Sequence, residues 1–221
     1  LLTQSRVRRQ TPRVGRTVEV PAGLCCVDPI RSRKTILSAS PIMRRADKMT
    51  TAERAMEALT TAFSGRLSTI GADGYPYCLP LFFVMMDGEI FVHNSNAKGH
   101  LRTNVEHNSR VCFEVDQANE VYAYGRFECD SALAYWSVIA FGHIRIIETN
   151  ETKQRFCDEL MAKYADKAWD RPKGFYPRLD DICVYAIKIE RLTGKETQLP
   201  VSTERWPAVD KTKSPRVTPK N

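Results

Sequence analysis

Two Asp-Gly dipeptides, Asp73-Gly74 and Asp87-Gly88, stand fourteen residues apart and constrain this chain more than any other feature. Asp-Gly accepts the positive φ that a tight hairpin demands, so the segments flanking such a turn pair antiparallel. The flanks agree. Arg66–Ile70 roughly alternates polar and apolar residues, as a half-buried strand does. Tyr75–Met86 is a longer extended run expected to bend at Pro76 or Pro80, and Glu89–His93 follows the second turn. Two such turns at this spacing predict an antiparallel meander.

Other elements arrange themselves around it. Thr50 or Thr51 caps a helix with Glu53 in its first turn, and Ala55, Met56, Leu59, Ala62 and Phe63 recur at helical spacing up to Ser64. Gly65 ends that helix. The polar loop Asn94–His100 opens into a short helix ending near Glu106. Arg110–Asp116 reads as a strand, Glu120–Cys129 as loop or strand, and Trp136–Glu148 as a long strand with a bulge at Phe141-Gly142. Asn150 caps a helix to about Tyr164, the loop Trp169–Pro177 follows, and Ile182–Leu192 is the last strand. At least six strands in hairpin order predict a mainly β fold, a closed or nearly closed antiparallel barrel with peripheral helices. The longest apolar run, Cys78–Met86, spans nine residues and contains Pro80. A membrane-spanning helix needs about 20, so none is expected.

Charge is unevenly spread. Residues 1–42 carry +6 of the formal +7, from Arg6, Arg8, Arg9, Arg13, Arg16, Arg31, Arg33 and Lys34 against Glu19 and Asp28. The remainder is almost neutral, so nucleic acid is not an expected partner of the folded body. The basic, Pro/Arg/Ser-rich leader has three readings: a transit peptide, a disordered arm, or a translated upstream stretch. Met43 is the first methionine, which favours the third and puts the start of the fold there. Residues 197–221 read as a loose tail. Seven cysteines without a CxxC pair suggest a reduced, cytoplasmic protein with neither a disulfide framework nor a structural zinc site.

Chemistry concentrates at the strand-to-helix junction from His93 to Leu101. A helix N-terminus presents free N–H groups and the positive end of its dipole, and so attracts phosphate. Lys98 adds charge, Gly99 permits close backbone approach, and Asn94, Ser95 and Asn96 add short polar groups. A plain capped helix fits the same residues. Arg66 and Ser68 form an outward strand edge suited to an anion or to the polar rim of a planar ring, or simply an exposed surface. His100 and His107 share a helix face but have no third ligand, so no metal site is predicted. No Ser/His/Asp spacing, P-loop, G-x-S-x-G or G-x-G-x-x-G occurs, which leaves hydrolase and nucleotidyl chemistry without support.

Seven motifs in order resemble a known family. They are Met43–Lys48; Gly65-Arg66-Leu67-Ser68-Thr69; Asp73–Tyr77 with Pro80; His93 followed by Lys98-Gly99-His100-Leu101; Asn108–Val115; Tyr135–Val138 with Phe141-Gly142; and Leu192-Thr193-Gly194-Lys195. Together they resemble the pyridoxamine 5′-phosphate oxidase-related, FMN-binding split-barrel proteins, and most of all the branch that includes 5-nitroimidazole reductases.

The resemblance implies a six-stranded, Greek-key-like split barrel that forms a homodimer, with FMN (FAD being the alternative) in a groove between subunits. It implies that Arg66, Leu67, Ser68 and Thr69 lie along the flavin, and that His93, Asn94, Ser95, Lys98, Gly99, His100 and Leu101 surround its ribityl chain and phosphate. Trp136, Ser137 and Val138 would approach the ring, and His93 is the best placed proton donor. The implied activity is flavin-dependent reduction or oxidation of a small planar molecule, with a flavin store or sensor and a haem-binding barrel as alternatives. His100-Leu101 stands where many relatives carry a lysine, and the substrate motif of the vitamin B6 oxidase proper is missing.

Overall fold

The computed structural model describes residues 43–201 except residue 126. The expected leader, residues 1–42, and most of the expected tail lie outside the described residues. A 3-10 turn at Ala46–Lys48 leads to helix α1 (Ala52–Thr61), then strands β1 (Gly65–Ile70), β2 (Pro76–Leu81), β3 (Phe83–Met86) and β4 (Glu89–Ser95). Helix α2 (His100–His107), β5 (Arg110–Ala123), β6 (Ser131–Ile147), helix α3 (Asn150–Tyr164), a 3-10 turn at Leu179–Asp181 and β7 (Ile182–Thr197) complete the order.

All seven strands form one antiparallel sheet in the order β2-β1-β5-β6-β7-β4-β3. The two edge strands, β2 and β3, are consecutive in the chain and separated only by Phe82. The expected single strand over Tyr75–Met86 is therefore two segments, broken at Phe82 rather than at either proline. Its first half pairs with β1 and its second half with β4. Counting that run as one bent strand recovers six, so the fold is the expected mainly β split barrel with peripheral helices. Pro76 and Pro80 lie on β2, where an edge strand has no second neighbour to miss their N–H groups.

The two Asp-Gly turns differ. Asp87 and Gly88 both have positive φ (53° and 77°) between paired Met86 and Glu89, the geometry of a two-residue type I′ hairpin. The Asp73-Gly74 turn is wider: Gly71 N–H donates to the Tyr75 carbonyl at 3.0 Å, and Asp73 Oδ1 accepts from Tyr75 N–H at 3.0 Å. The bulge near Phe141-Gly142 exists, but its extra residue is on the partner strand. Phe141 pairs with Arg191 and Gly142 with Ile189, leaving Glu190 unopposed. A Cβ on Gly142 would stand 2.0 Å from the Lys188 carbonyl oxygen, so the close approach requires glycine.

Two apolar clusters hold the fold. The larger fills the barrel with Leu59 of α1, Leu67, Phe83, Ile90, Val92, Phe113, Val115, Val138 and Tyr185. The smaller lies beneath α3, where Phe156 and Cys157 pack on Val84, Met86, Phe91, Val184 and Ala186. Alternation along β4 sends Ile90 and Val92 to the first cluster and Phe91 to the second.

Candidate functional site

On β1 the side chains alternate as the sequence reading expects. Leu67 and Thr69 are fully buried, while Arg66 is exposed and Ser68 half-buried. From β1, the Arg66 Nη1 donates to Glu114 Oε2 at 2.9 Å and to Asp116 Oδ1 at 2.6 Å on β5. Both bonds leave from one nitrogen, so Nη2 and Nε keep their donors for another acceptor. Asp116 is the main cause of the raised Arg66 pKa. Glu114 is pushed up by burial, although Arg66 opposes the shift.

Arg66 and Trp136 line one cavity of about 550 Å³, together with Arg54, Phe63, Asp116 and Gln117. That volume falls in the range of small-molecule sites. Trp136 Nε1 donates to Gln117 Oε1 at 3.2 Å, which fixes the indole. Ser137 sits half-buried opposite Asp116 and Lys195, and Val138 is in the core.

The junction before α2 has its own geometry. Gly99 is the N-cap, in extended conformation, and provides no side-chain bond to the first turn. Lys98 pairs with Glu106 at 2.5 Å, and the Arg102 Nη1 holds Asn96 through both its carbonyl (3.2 Å) and Oδ1 (3.0 Å). Arg102, a cation on the first turn three residues after Gly99, escaped the sequence reading, which weighed only lysine there. The His100 ring stacks on Tyr77 with centroids 4.3 Å apart, and Leu101 is buried. Buried Asn104 ties α2 to β1 by donating to Thr69 Oγ1 at 3.0 Å. Asn94 Oδ1 accepts from the Tyr185 hydroxyl at 3.1 Å, and Ser95 Oγ accepts from Ala97 N–H at 3.4 Å. Leu67, Thr69, Leu101 and Val138 are thus buried and offer a ligand no side chain.

His93 stands elsewhere. It lines a cleft of about 410 Å³ with Phe156, Leu160, Tyr176, Arg178 and Ile182, beneath α3 and the loop that follows it. Its ring lies 5.3 Å from that of Phe156, Nδ1 is buried without a hydrogen-bond partner, and burial lowers its pKa. The structure therefore brings Arg66 with Trp136, and joins the α2 residues to β1 through Thr69 and to β2 through Tyr77. It leaves His93 in a separate cleft.

Sequence spacing also missed a cluster formed only by folding. Ser109 Oγ is 2.8 Å from His143 Nδ1, and His143 Nε2 is 3.4 Å from Glu190 Oε1, all on an open surface. Among the described residues no group of three His, Cys, Asp or Glu is placed to hold a metal ion, and no helix is long and apolar enough to cross a membrane.

Residues 51–196 match the family model described as pyridoxamine 5′-phosphate oxidase. The chain belongs to that family. Comparison with curated protein sequences gives no match. Among solved structures, the flavocytochrome Anf3 of Azotobacter vinelandii is similar at 18% identity and TM-score 0.63, covering 72% of this chain and 73% of that one. The FAD and heme binding protein of Mycobacterium smegmatis is 20% identical with TM-score 0.60, covering 72% and 78%. A Bacteroides thetaiotaomicron protein assigned to 5-nitroimidazole antibiotic resistance is 20% identical with TM-score 0.56, covering 66% and 85%. At these identities the likeness establishes the split-barrel fold of the family member described here.

Proposed function

We propose that this protein is a homodimeric, cytoplasmic flavoprotein that binds FMN and acts as an oxidoreductase on a small planar molecule. The observation that carries the reading is the start of α2. Its N-cap, Gly99, occupies none of the first-turn N–H groups with a side chain, and Lys98 adjoins them. A terminal phosphate suits free N–H groups at the positive end of a helix dipole. Family membership and the flavin named for two similar structures support the cofactor class. FMN in preference to FAD rests on the sequence resemblance.

A bound flavin would carry the electrons, while the protein supplies binding, orientation and shielding. Lys98 exchanges Glu106 for phosphate. Arg66 presents Nη2 and Nε to polar ring atoms while Glu114 and Asp116 hold it in place. The indole of Trp136, fixed by Gln117, walls the ring cavity. His93, the proton donor that the resemblance implies, lines the separate cleft beneath α3, so no step at the ring is assigned to it. The second copy would cover the outer face of β5 and β6, where Ile139 and Phe141 are half-exposed.

The test is the visible spectrum of purified protein, with the chromophore released by heat and identified. FMN is the expected product, and its bleaching by a reduced nicotinamide would separate an enzyme from a flavin store. The double variant Lys98→Ala/Arg66→Ala should lose flavin, and full retention would overturn the phosphate placement. Light scattering should report a dimer mass.

A further inference from the structure

We propose that Lys163 is a carbonyl-reactive site, whose amine condenses with a small aromatic aldehyde docked against Phe63, Phe82 and Tyr164. The site shares Phe63 with the wall of the proposed flavin cavity, but Lys163, Phe82 and Tyr164 are not among that cavity's lining residues. Lys163 lies near the end of α3 with its Nζ 3.9 Å from the centroid of the Phe83 ring and 5.4 Å from that of Tyr164. It donates to the Phe83 carbonyl at 3.2 Å. No carboxylate pairs with it among the described residues. The strand beneath it, β3, contributes only Phe83, Val84, Met85 and Met86. On α3 the nearest ionisable groups are Glu159, one turn earlier, and Tyr164, whose hydroxyl donates to the Phe63 carbonyl at 2.7 Å.

Beside this amine is a triangle of rings that the described residues leave partly exposed. Phe63 and Phe82 stand edge to face with centroids 5.5 Å apart, and Tyr164 is 5.4 Å from the first and 4.9 Å from the second. Phe63 is 70% exposed and Phe82 50%. Exposed rings in this arrangement accept another ring edge-on or offset-stacked. A lysine surrounded by apolar groups is the usual way a protein makes an amine nucleophilic near neutral pH. Burial here brings the ammonium down from 10.5 to about 8. The free-amine fraction at pH 7 then exceeds that of an ordinary lysine by roughly two orders of magnitude.

The chemistry is a condensation without redox change. The Nζ lone pair forms a bond to the carbonyl carbon, one nitrogen proton passes to the oxygen, the second follows as the carbon–oxygen bond breaks, water leaves, and a neutral imine remains.

The test uses the full chain in its flavin-bound form, treated with benzaldehyde or formaldehyde and cyanoborohydride at pH 7, with adducts mapped by peptide mass spectrometry. Lys163 should react with benzaldehyde at least tenfold faster than Lys153, Lys167, Lys173 or Lys188. Unfolding in urea should abolish that preference. Phe82→Ala should slow benzaldehyde capture at Lys163 and leave formaldehyde capture unchanged, which also reports that the variant is folded. Uniform labelling of the lysines, a preference that survives urea, or benzaldehyde capture indifferent to the Phe82 deletion would each overturn the proposal.

Discussion

The Arg66 face and the α3 face of one sheet treat ionisable side chains in opposite ways. Arg66 remains about half exposed and shares two carboxylates, so its charge is held by partners and by water. Under α3 and at its end, His93 and Lys163 have apolar neighbours and no ion pair among the described residues, and burial pushes both toward the neutral form. Strand alternation is the same in both places. What differs is the cover: α3 lies across β3 and seals the smaller apolar cluster, whereas the strand edge around Arg66 opens into a cavity with polar walls. The α3 face should therefore carry stability, and the Arg66 face ligand binding.

The strongest way to break that division is to compare Phe156→Ala with Arg66→Ala. Phe156, on the inward face of α3, is fully buried. Its truncation should cost about 3–5 kcal/mol of unfolding free energy, through lost burial and the cavity left behind. Arg66→Ala removes an exposed pair and should cost under about 1 kcal/mol, while weakening flavin retention. Urea unfolding of the two variants measures both, and equal losses would abolish the distinction.

Between the two faces lies the Thr69–Asn104 bond, which anchors α2 against β1. Asn104 is 2% exposed and Thr69 fully buried. Asn104→Ala leaves the Thr69 hydroxyl with only a 3.4 Å contact to the Tyr77 carbonyl. The expected cost is about 1–3 kcal/mol, and Thr69→Val/Asn104→Leu should recover part of it by removing both polar groups. A neutral Asn104→Ala would mean that α2 is held by Leu101 and Val105 alone.

Much of this architecture was legible in the sequence because it is written in local chemistry. Asp87-Gly88 gives a two-residue turn, Thr51 caps α1 by accepting from Arg54 N–H, and the β1 alternation separates Arg66 from Leu67. The break at Phe82 was not legible. Nothing in Leu81-Phe82-Phe83 distinguishes one strand from two that meet opposite edges, since only the closing sheet decides it. Nor could spacing show that His93 and Arg66 line different cavities, because that follows from which strand face α3 covers. Lys163 was invisible for the same reason: Tyr164 and Lys163 look like an ordinary helix end until Phe83 lies under the amine.

Lys163→Met sharpens the comparison at a smaller scale. Its folded-state pKa is below the unfolded value, so the unfolded chain binds the extra proton between about 8 and 10.5. The penalty is fully present below pH 8 and disappears above the unfolded value. The shift corresponds to at most about 3 kcal/mol, and solvent reaching half the side chain reduces that to about 1 kcal/mol. Lys163→Met should therefore stabilise the protein at pH 7 and lose that advantage by pH 10.5. An equal gain at both pH values would assign the effect to packing.

The smallest expected effect belongs to His93, and it separates the two faces most cleanly. Burial lowers its pKa, so the folded imidazole resists a proton that the unfolded chain accepts. Stability is therefore intact above the ordinary histidine value and declines as pH falls through it, flattening once the folded pKa is passed. His93→Gln keeps a polar side chain of similar reach and removes the titration. The difference between variant and parent should thus change with pH from 7 to 5, while the difference between Asn104→Ala and parent should stay constant, since neither asparagine nor alanine titrates. Parallel curves for His93→Gln and its parent would mean that water reaches the imidazole through the cleft beside Tyr176, and that apolar cover of the α3 face ends before His93.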